Sequence, residues 1–522
     1  MKTILLALSI FICANVFAQK NLTQVGHISY PYQLAGVWHY VDSTGHEYAL
    51  VGKYDGVGII DVANPANPVE VATTPGTPSI WREVKVWGHY AYVSTEGVDT
   101  NNVLNGIQII DLSTLPNPVS YKFYTGDGAI ANQLTRAHTV TVNNGYLYIN
   151  GTQLLGGGVL ICSLSDPWNP QYISSYSANY VHDCVVKNDT MWTSEIWAGQ
   201  FSVVDITNKT NPTVVQTQLT PSLFNHNGWH SDDERTFFTT DEKPYAPMAA
   251  YDVSDLSNIK LLDTYLSETA PQGEVHNVRV LNDYVICANY ASHVTIVDAA
   301  RPDNLIEVAH ISLGGTGLSW DFDPYFPSGI LVASDMQTGL FVYNANYVRA
   351  CYLEGIVTDS LTNSPLKDAN ASIIATPSYD STNVTGEYKT GYADAGIYNV
   401  EFSVPGYKTK TISNVQLTNG VVTNLNVQLV PLTFSYPELA DCNNVDVLLN
   451  NSTHQLTISK PQCNKRSNAN LMVFDAAGKL VLNQKVVFEQ DAISFNLAKG
   501  LYIYQLLDES NTTFQTGKIS AE

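Results

Sequence analysis

Positive charge is what this chain has least of: 26 Lys and Arg stand against 48 Asp and Glu, a formal net charge of −22 over 522 residues. That balance argues against nucleic acid as a partner, because phosphate binding needs a basic face. It suits a protein that works outside the cell and takes cations as ligands. Cysteine is scarce as well. Cys13 falls in the leading segment, and Cys162, Cys184, Cys287, Cys351, Cys442 and Cys463 are too thinly spread for a disulfide scaffold. Cys442 and Cys463 are a candidate pair, and the other four read as small buried apolar residues. No stretch approaches the roughly 20 apolar residues of a membrane helix, so no transmembrane segment is expected. Also missing are a zinc-protease helix motif, a Gly-rich phosphate loop and a nucleophile elbow. Residues 1–18 read as a secretory signal peptide: Lys2 opens it, Ile4 to Phe11 form its apolar run, and Val16-Phe17-Ala18 precede Gln19 at the cleavage point.

What the chain has in quantity is repetition. The phrases GVGIIDVANPANPVEV (56–71), GIQIIDLSTLPNPVSY (106–121), FSVVDITNKTNPTVV (201–215) and VTIVDAARPDNLIEV (294–308) share one pattern. Weaker copies start at Gly158, Ala249 and Gly339. The Asp position of the phrase falls at Asp61, Asp111, Ser163, Asp205, Asp252, Asp298 and Asn344, steps of 42 to 52 residues. A period in the forties with several short strands per unit predicts β-propeller blades, seven of them. In the second unit the alternation predicts strands at Glu83–Trp87, Tyr90–Ser94 and Gly106–Leu112, with a fourth from Val119. Asn-Pro and Asp-Pro pairs end the third strands, since proline fixes φ. The seventh unit lacks a fourth strand, while residues 21–29 echo 304–312. The N-terminal strand is therefore expected to complete the last blade and close the ring.

After Tyr347 the texture changes. Residues 351–430 alternate as a small β-sandwich, and a further alternating stretch runs from about Val445 to the end. The expected organisation is all-β: signal peptide 1–18, a seven-bladed propeller closed by an N-terminal strand at 19–348, and two small β-sandwiches at 349–432 and 433–522.

The repeated I-I-D or V-V-D followed by Asn-Pro resembles the LVIVD repeat of exported bacterial propellers of the choice-of-anchor B family, over roughly residues 21–348. That resemblance implies a fold and an exported location, and no particular chemistry. Gly355, Thr358-Asp359, Pro365-Leu366, Gly396-x-Tyr398 and Gly406-Tyr407 give residues 351–430 a resemblance to the carboxypeptidase-regulatory-like domain, an accessory of transthyretin type. The last stretch is similar to the sorting domain of type IX secretion substrates, through Asp475-x-x-Gly478-Lys479, Gly500-Leu501-Tyr502 and Gly517-Lys518. This implies the secretion machinery as a partner of residues 433–522. The implied location is secreted or at the outer-membrane cell surface, reached through the periplasm.

The repeat also serves as a ruler. Aligned at the starts of the first strands are His39, Arg82, His138, His182, His226, His276 and Trp320, followed by Tyr40, Glu83, Thr139, Asp183, Asn227, Asn277 and Asp321. First strands line a propeller's channel, so these side chains are expected to ring one mouth. Second strands run antiparallel to the first, which brings their ends, with Glu96, Glu195, Asp241, Asn289 and Asp335, to the same face. Imidazole and carboxylate together are a divalent-metal ligand set, with His138, His182, His226 and His276 the candidate ligands. The plainer alternative is that the repeated histidines bond neighbouring blades and satisfy buried polar groups. Trp38, Trp81, Trp197, Trp229 and Trp320 are expected near the rim, as a stacking platform or as packing. Two functions stay open. One is an exported binding protein holding a small-molecule, glycan or protein ligand at the channel mouth, through His39, Arg82, Glu83, His138, His182, Asp183, Glu195, His226, His276, Trp320 and Asp321. The other is a metal-dependent hydrolase using His138, His182, His226, His276 and Glu195.

Overall fold

The computed structural model describes residues 19–291, 293–312, 317–432, 445–453, 455–459, 468–487, 493–494 and 497–521. The signal-peptide reading of 1–18 and the Cys442–Cys463 pair lie outside them. Cys162, Cys184, Cys287 and Cys351 are free and buried.

Seven antiparallel sheets succeed one another along the chain, six of four strands and the sixth in order of five. Their innermost strands are Leu34–Val41, Val84–Trp87, Thr139–Asn143, Asp183–Lys187, Asn225–His230, Val275–Leu281 and Ser319–Asp323. Each packs against the next, and the seventh packs against the first, which closes a ring around a central channel. The third strand of each blade carries the repeated phrase and is apolar on both faces (Gly56–Asp61, Ile107–Asp111, Gln200–Asp205). Such runs are expected where a strand is covered on both sides, here by a blade to the left and another to the right. Tyr48, Leu50 and Ile59 of blade 1, for example, share a core with Ala91, Val93 and Ile110 of blade 2. The phrase ends on a cap: the side-chain oxygens of Asp61, Asp111, Ser163, Asp205, Asp252 and Asp298 each accept the backbone N–H two residues on, at 2.8–3.2 Å. The repeated Asp is thus a turn-former.

Ring closure follows the sequence echo. Leu22–Ile28 pairs antiparallel with Gly339–Ala345 as the outer strand of blade 7. Gln19–Lys20 pairs with His310 and Ile311 as a fifth strand on blade 6. Asn21 is the pivot between them, at φ 52°, a region Asn tolerates better than most residues. Its amide donates to the Val308 carbonyl at 2.7 Å. The seam with blade 1 has an apolar core, in which Leu34, Val37 and Val51 meet Phe326, Val332 and Leu340.

The sandwich from Cys351 belongs to the same compact unit as the propeller. Cys351–Asp359 pairs antiparallel with Glu387–Tyr392 and parallel with Val422–Asn424 and Val427–Leu429. The other sheet holds Asn370–Ile373, Tyr379–Ser381, Gly396–Ser403 and Lys410–Leu417. Asp298, the repeat Asp of blade 6, also accepts from Arg349, the Ala350 N–H and the Tyr352 hydroxyl, and Arg301 makes a two-pronged pair with Glu354. Pro431–Glu522 form a second unit. Its main sheet holds Asn468–Asp475, Leu480–Val487, Gly500–Leu507 and Thr513–Ala521. Its Asp475 carboxylate accepts the Ala477 and Lys479 N–H groups, across a turn in which Gly478 has φ 81°.

Candidate metal centre at the channel mouth

At the starts of the inner strands four imidazoles and an indole lean on one another around the channel. Ring centroids are 4.0 Å apart for His138–His182, 4.1 Å for His182–His226, 4.2 Å for His226–His276 and 4.6 Å for His276–Trp320. The Nδ1 of His182 lies 3.0 Å from the carbonyl oxygen of His226, that of His226 2.8 Å from the carbonyl of His276, and that of His276 2.6 Å from the carbonyl of Trp320. A carbonyl only accepts, so each Nδ1 carries the proton and each Nε2 keeps its lone pair. Burial pushes the pKa of His182 and His226 well below the usual histidine range and that of His276 below it. These imidazoles are neutral at pH 7. His138 differs, with its Nδ1 2.6 Å from Glu96 Oε1.

Three acceptors meet on one side of this stack. His226 Nε2 lies 3.7 Å from Glu242 Oε2, and His276 Nε2 lies 3.8 Å from Glu242 Oε1. One ligand atom from each of the three residues fits within 4.8 Å of the others. The Tyr290 hydroxyl donates to Glu242 Oε1 at 3.0 Å, and the Tyr290 ring stacks on His276 with centroids 4.9 Å apart. Among the described residues no donor stands between the two lone pairs and the carboxylate. Facing acceptors repel unless a cation sits among them. Zinc at about 2.0–2.1 Å from each of three tetrahedral ligands would hold them roughly 3.4 Å apart, so the three side chains would have to draw together from separations of up to 4.8 Å to hold it. An imidazole whose other nitrogen donates to a carbonyl, and a carboxylate held by a hydroxyl, are the outer contacts metal ligands usually carry.

Several expected site residues lie elsewhere. His39 is not in the stack. Ala35 holds the stack position, within a register irregularity that blades 5, 6 and 7 share at His226, His276 and Trp320; His39, four residues further on, pairs with Asp323 at 2.9 Å. A tryptophan precedes both His39 and Arg82, and that likeness is a coincidence of sequence. Arg82 has the right register, but its guanidinium leaves the channel and donates to the carbonyls of Lys53 and Thr77. Glu195 is fully buried and accepts from Tyr176, Asn179, Thr193 and Gln200. Asp241 is consumed by Thr220 and the N–H groups of Ser222 and Phe224. Of the second-strand ends that the ruler selected, Glu195 and Asp241 are loop caps, while Glu96 lies one position further along and reaches His138. Strand pairing puts Glu96, Glu242 and Tyr290 at that shared position. The missed residues Glu242 and Tyr290 were therefore one step along the same ruler.

Glu83, Asp183 and Asp321 form the next layer of the channel, a belt that ties the blades together. The Asn227 amide donates to Asp183 at 2.7 Å, the Asn277 amide to Asp321 at 3.1 Å and the Trp320 indole N–H to Glu83 at 2.7 Å. Arg279 grips both oxygens of Asp321, at 2.6 and 3.0 Å. Burial, with Asp321 nearby, pushes Glu83 up to about 7. The five tryptophans form no common rim. Trp320 is buried in the stack, Trp81 and Trp197 are 41% and 72% exposed, and Trp38 and Trp229 line the far end of the channel.

A ring of β-blades carrying this phrase is a repeat propeller, and the family model of the LVIVD repeat matches residues 46–74, 81–125 and 196–220. The appended parts are equally specific. The carboxypeptidase regulatory-like domain matches residues 352–430, and the secretion system C-terminal sorting domain matches residues 450–520. The protein is thus an all-β, LVIVD-repeat chain with a type IX sorting domain, secreted or displayed at the cell surface. None of the described helices is long and apolar enough to cross a membrane. Among curated proteins no match is found.

Proposed function

We propose that this exported propeller is a binding protein that holds its ligand at the histidine mouth of the channel through a divalent transition metal on His226, His276 and Glu242. The observation carrying the proposal is the convergence of two unprotonated Nε2 atoms and a carboxylate within 4.8 Å. Borderline-soft nitrogen with one carboxylate suits zinc or a neighbour of it better than calcium or magnesium. Three protein ligands leave a fourth position for the bound partner.

The same open position supports the hydrolase reading, since a metal-bound water there would be acidified. Glu274, whose carboxyl is pushed up by burial and by Glu242, is the nearby group to receive a proton.

Elemental analysis after zinc loading and desalting tests the proposal. One zinc per chain is expected, falling below a tenth in His226→Ala and His276→Ala. Wild-type protein that keeps no metal, and whose melting temperature is unmoved by zinc or chelator, overturns both readings. A metal-loaded protein that cleaves model esters or phosphodiesters, and stops when Glu274 becomes Gln, favours the hydrolase.

A further inference from the structure

The connections around the histidine mouth hold three residues that neither blade packing nor the metal centre accounts for. Leu155, Leu223 and Tyr245 have a left-handed backbone, at φ 49°, 53° and 62°. Most of the other non-glycine residues in that region are Asn or Asp, whose short side chains tolerate it, whereas a bulky side chain there is an outlier. All three lie in connections on the face that holds the histidines. They are also 48%, 53% and 68% exposed. Each is therefore unfavourable twice over, in backbone strain and in apolar surface left in water. Strained residues gather at binding sites, where the surrounding structure holds them in place for a partner.

The three connections join into one surface through Trp197, itself 72% exposed. Ring centroids lie 6.3 Å apart for Tyr180 and Trp197, and 5.5 Å apart for Trp197 and Phe224. The Val181 N–H donates to the Gly157 carbonyl, which ties the Leu155 connection to Tyr180. The Thr220 N–H donates to the Gly199 carbonyl, and the Lys243 ammonium to the Ser222 carbonyl. Trp197, Leu223 and Tyr245 are thereby tied in turn, in an apolar arc over blades 3 to 5 beside the mouth. Exposed patches of this kind mark interaction sites, and Trp and Tyr are prominent among the residues that anchor partners.

The chemistry of the arc selects what it binds. A sugar packs on a flat, open ring face. Here Tyr180 and Trp197 are tilted by 49°, Trp197 meets Phe224 edge-on at 79°, and Lys243 covers Phe224 at 4.8 Å. Leucine offers no flat face at all. An anionic lipid surface would meet a chain of net charge −22, with Glu96, Glu242 and Glu274 on the inner side of the arc. The cations nearby are already engaged: Arg136 lies 3.8 Å from Glu96, and Lys243 bonds to the carbonyls of Ser222 and Leu223. Glu274 has no cationic partner among the described residues, and the charge that acts on it is that of Glu242. The uneven apolar relief suits side chains, and the unmatched carboxylate suits a basic group.

We infer that this arc docks a polypeptide partner, whose apolar side chains pack on Trp197, Leu223 and Tyr245 and whose Lys or Arg reaches Glu274. The surface is separate from the metal ligands and stands with or without zinc.

The test is selection from a displayed library of random linear peptides on the full secreted chain, in EDTA so that the outcome does not depend on metal. Counter-selection uses the Trp197→Ser chain. Maltohexaose and phosphatidylglycerol vesicles are the glycan and lipid controls. Enriched peptides are expected to combine aromatic or aliphatic residues with Lys or Arg, and to bind saturably by fluorescence polarisation. Trp197→Ala and Tyr245→Ala should each weaken binding about tenfold or more. Glu274→Gln should weaken it less and flatten its salt dependence. Bound peptide should also shield Trp197 from quenching by acrylamide in the wild-type protein, a readout that needs no variant. Leu223→Gly and Tyr245→Gly relieve the backbone strain, so they should lose affinity while melting no lower than wild type. The inference is overturned if no peptide prefers the wild type to Trp197→Ser, if the enriched peptides are acidic, or if the glycine variants melt lower than wild type. Binding of maltohexaose or vesicles that Trp197→Ser abolishes would overturn it in favour of a glycan or a lipid.

Discussion

The two ends of one channel are made by the same seven strands and solve different problems. At the starts of the strands one residue type recurs, and four histidines and Trp320 lean together with each of three Nδ1–H groups spent on the next blade's carbonyl. At the other end only tryptophan recurs, at Trp38 and Trp229, and these with Tyr325, Lys85 and Arg279 are arranged around open space. Repetition at a blade position is first a way to join blades. Function enters where repetition leaves something over, as with the Nε2 lone pairs facing Glu242, or where it breaks, as in the connections that carry Trp197 and Tyr245.

The sharpest way to break the comparison is Arg279→Ala. Asp321 would be left buried and unpaired in the belt that divides the two ends, at a cost of about 3–5 kcal/mol, read by denaturant unfolding. Next comes Glu242→Gln, which keeps the shape and removes the charge. Zinc affinity should fall at least about 100-fold, judged against the 10–100-fold of outer contacts alone, while the far-end cavity is untouched. Glu83→Gln probes the belt through pH. The folded state holds the Glu83 proton up to about 7, while the unfolded chain releases it near the ordinary glutamate value of 4.5. Folding therefore takes up a proton in that window, and this group's contribution to stability falls as pH rises from 4.5 to 7. Gln cannot ionise and still accepts the Trp320 indole N–H. The variant should match wild type at pH 4.5 and exceed it by about 3 kcal/mol at pH 8. The smallest effect is expected from Tyr290→Phe, which removes one hydroxyl from Glu242 and should cost about tenfold in zinc affinity.

Much of the fold was legible because the repeat is enforced by burial. The third strand of every blade is squeezed between two neighbours, so its apolar run survives in each copy, and the cap at Asp61 or Asp205 marks where it stops. Residues 21–29 echoed 304–312 because both are outer strands laid on the same kind of third strand. The extra pairing of Gln19–Lys20 with blade 6 was not legible, since two residues carry no pattern. The histidine stack was legible for the same reason as the blades. Its partner was not: the ruler landed on Glu195 and Asp241, which the loops use as caps, and Glu242 sits one residue beyond, where the chain leaves the strand. His39 was misplaced because blade 1 carries Ala35 at the stack position, four residues earlier, and an alanine gives the alignment nothing to mark.

By itself the sequence determined that the chain is a ring of like units with two β modules attached, because periodic burial leaves a periodic record. It determined that histidines gather at one mouth. Only the tertiary structure decided which of them face a carboxylate and which carboxylates are already spent. It alone brought Trp38, Trp229 and Tyr325, nearly three hundred residues apart, around one cavity. Contacts across a ring join residues with no fixed spacing, and such contacts leave no pattern along the chain.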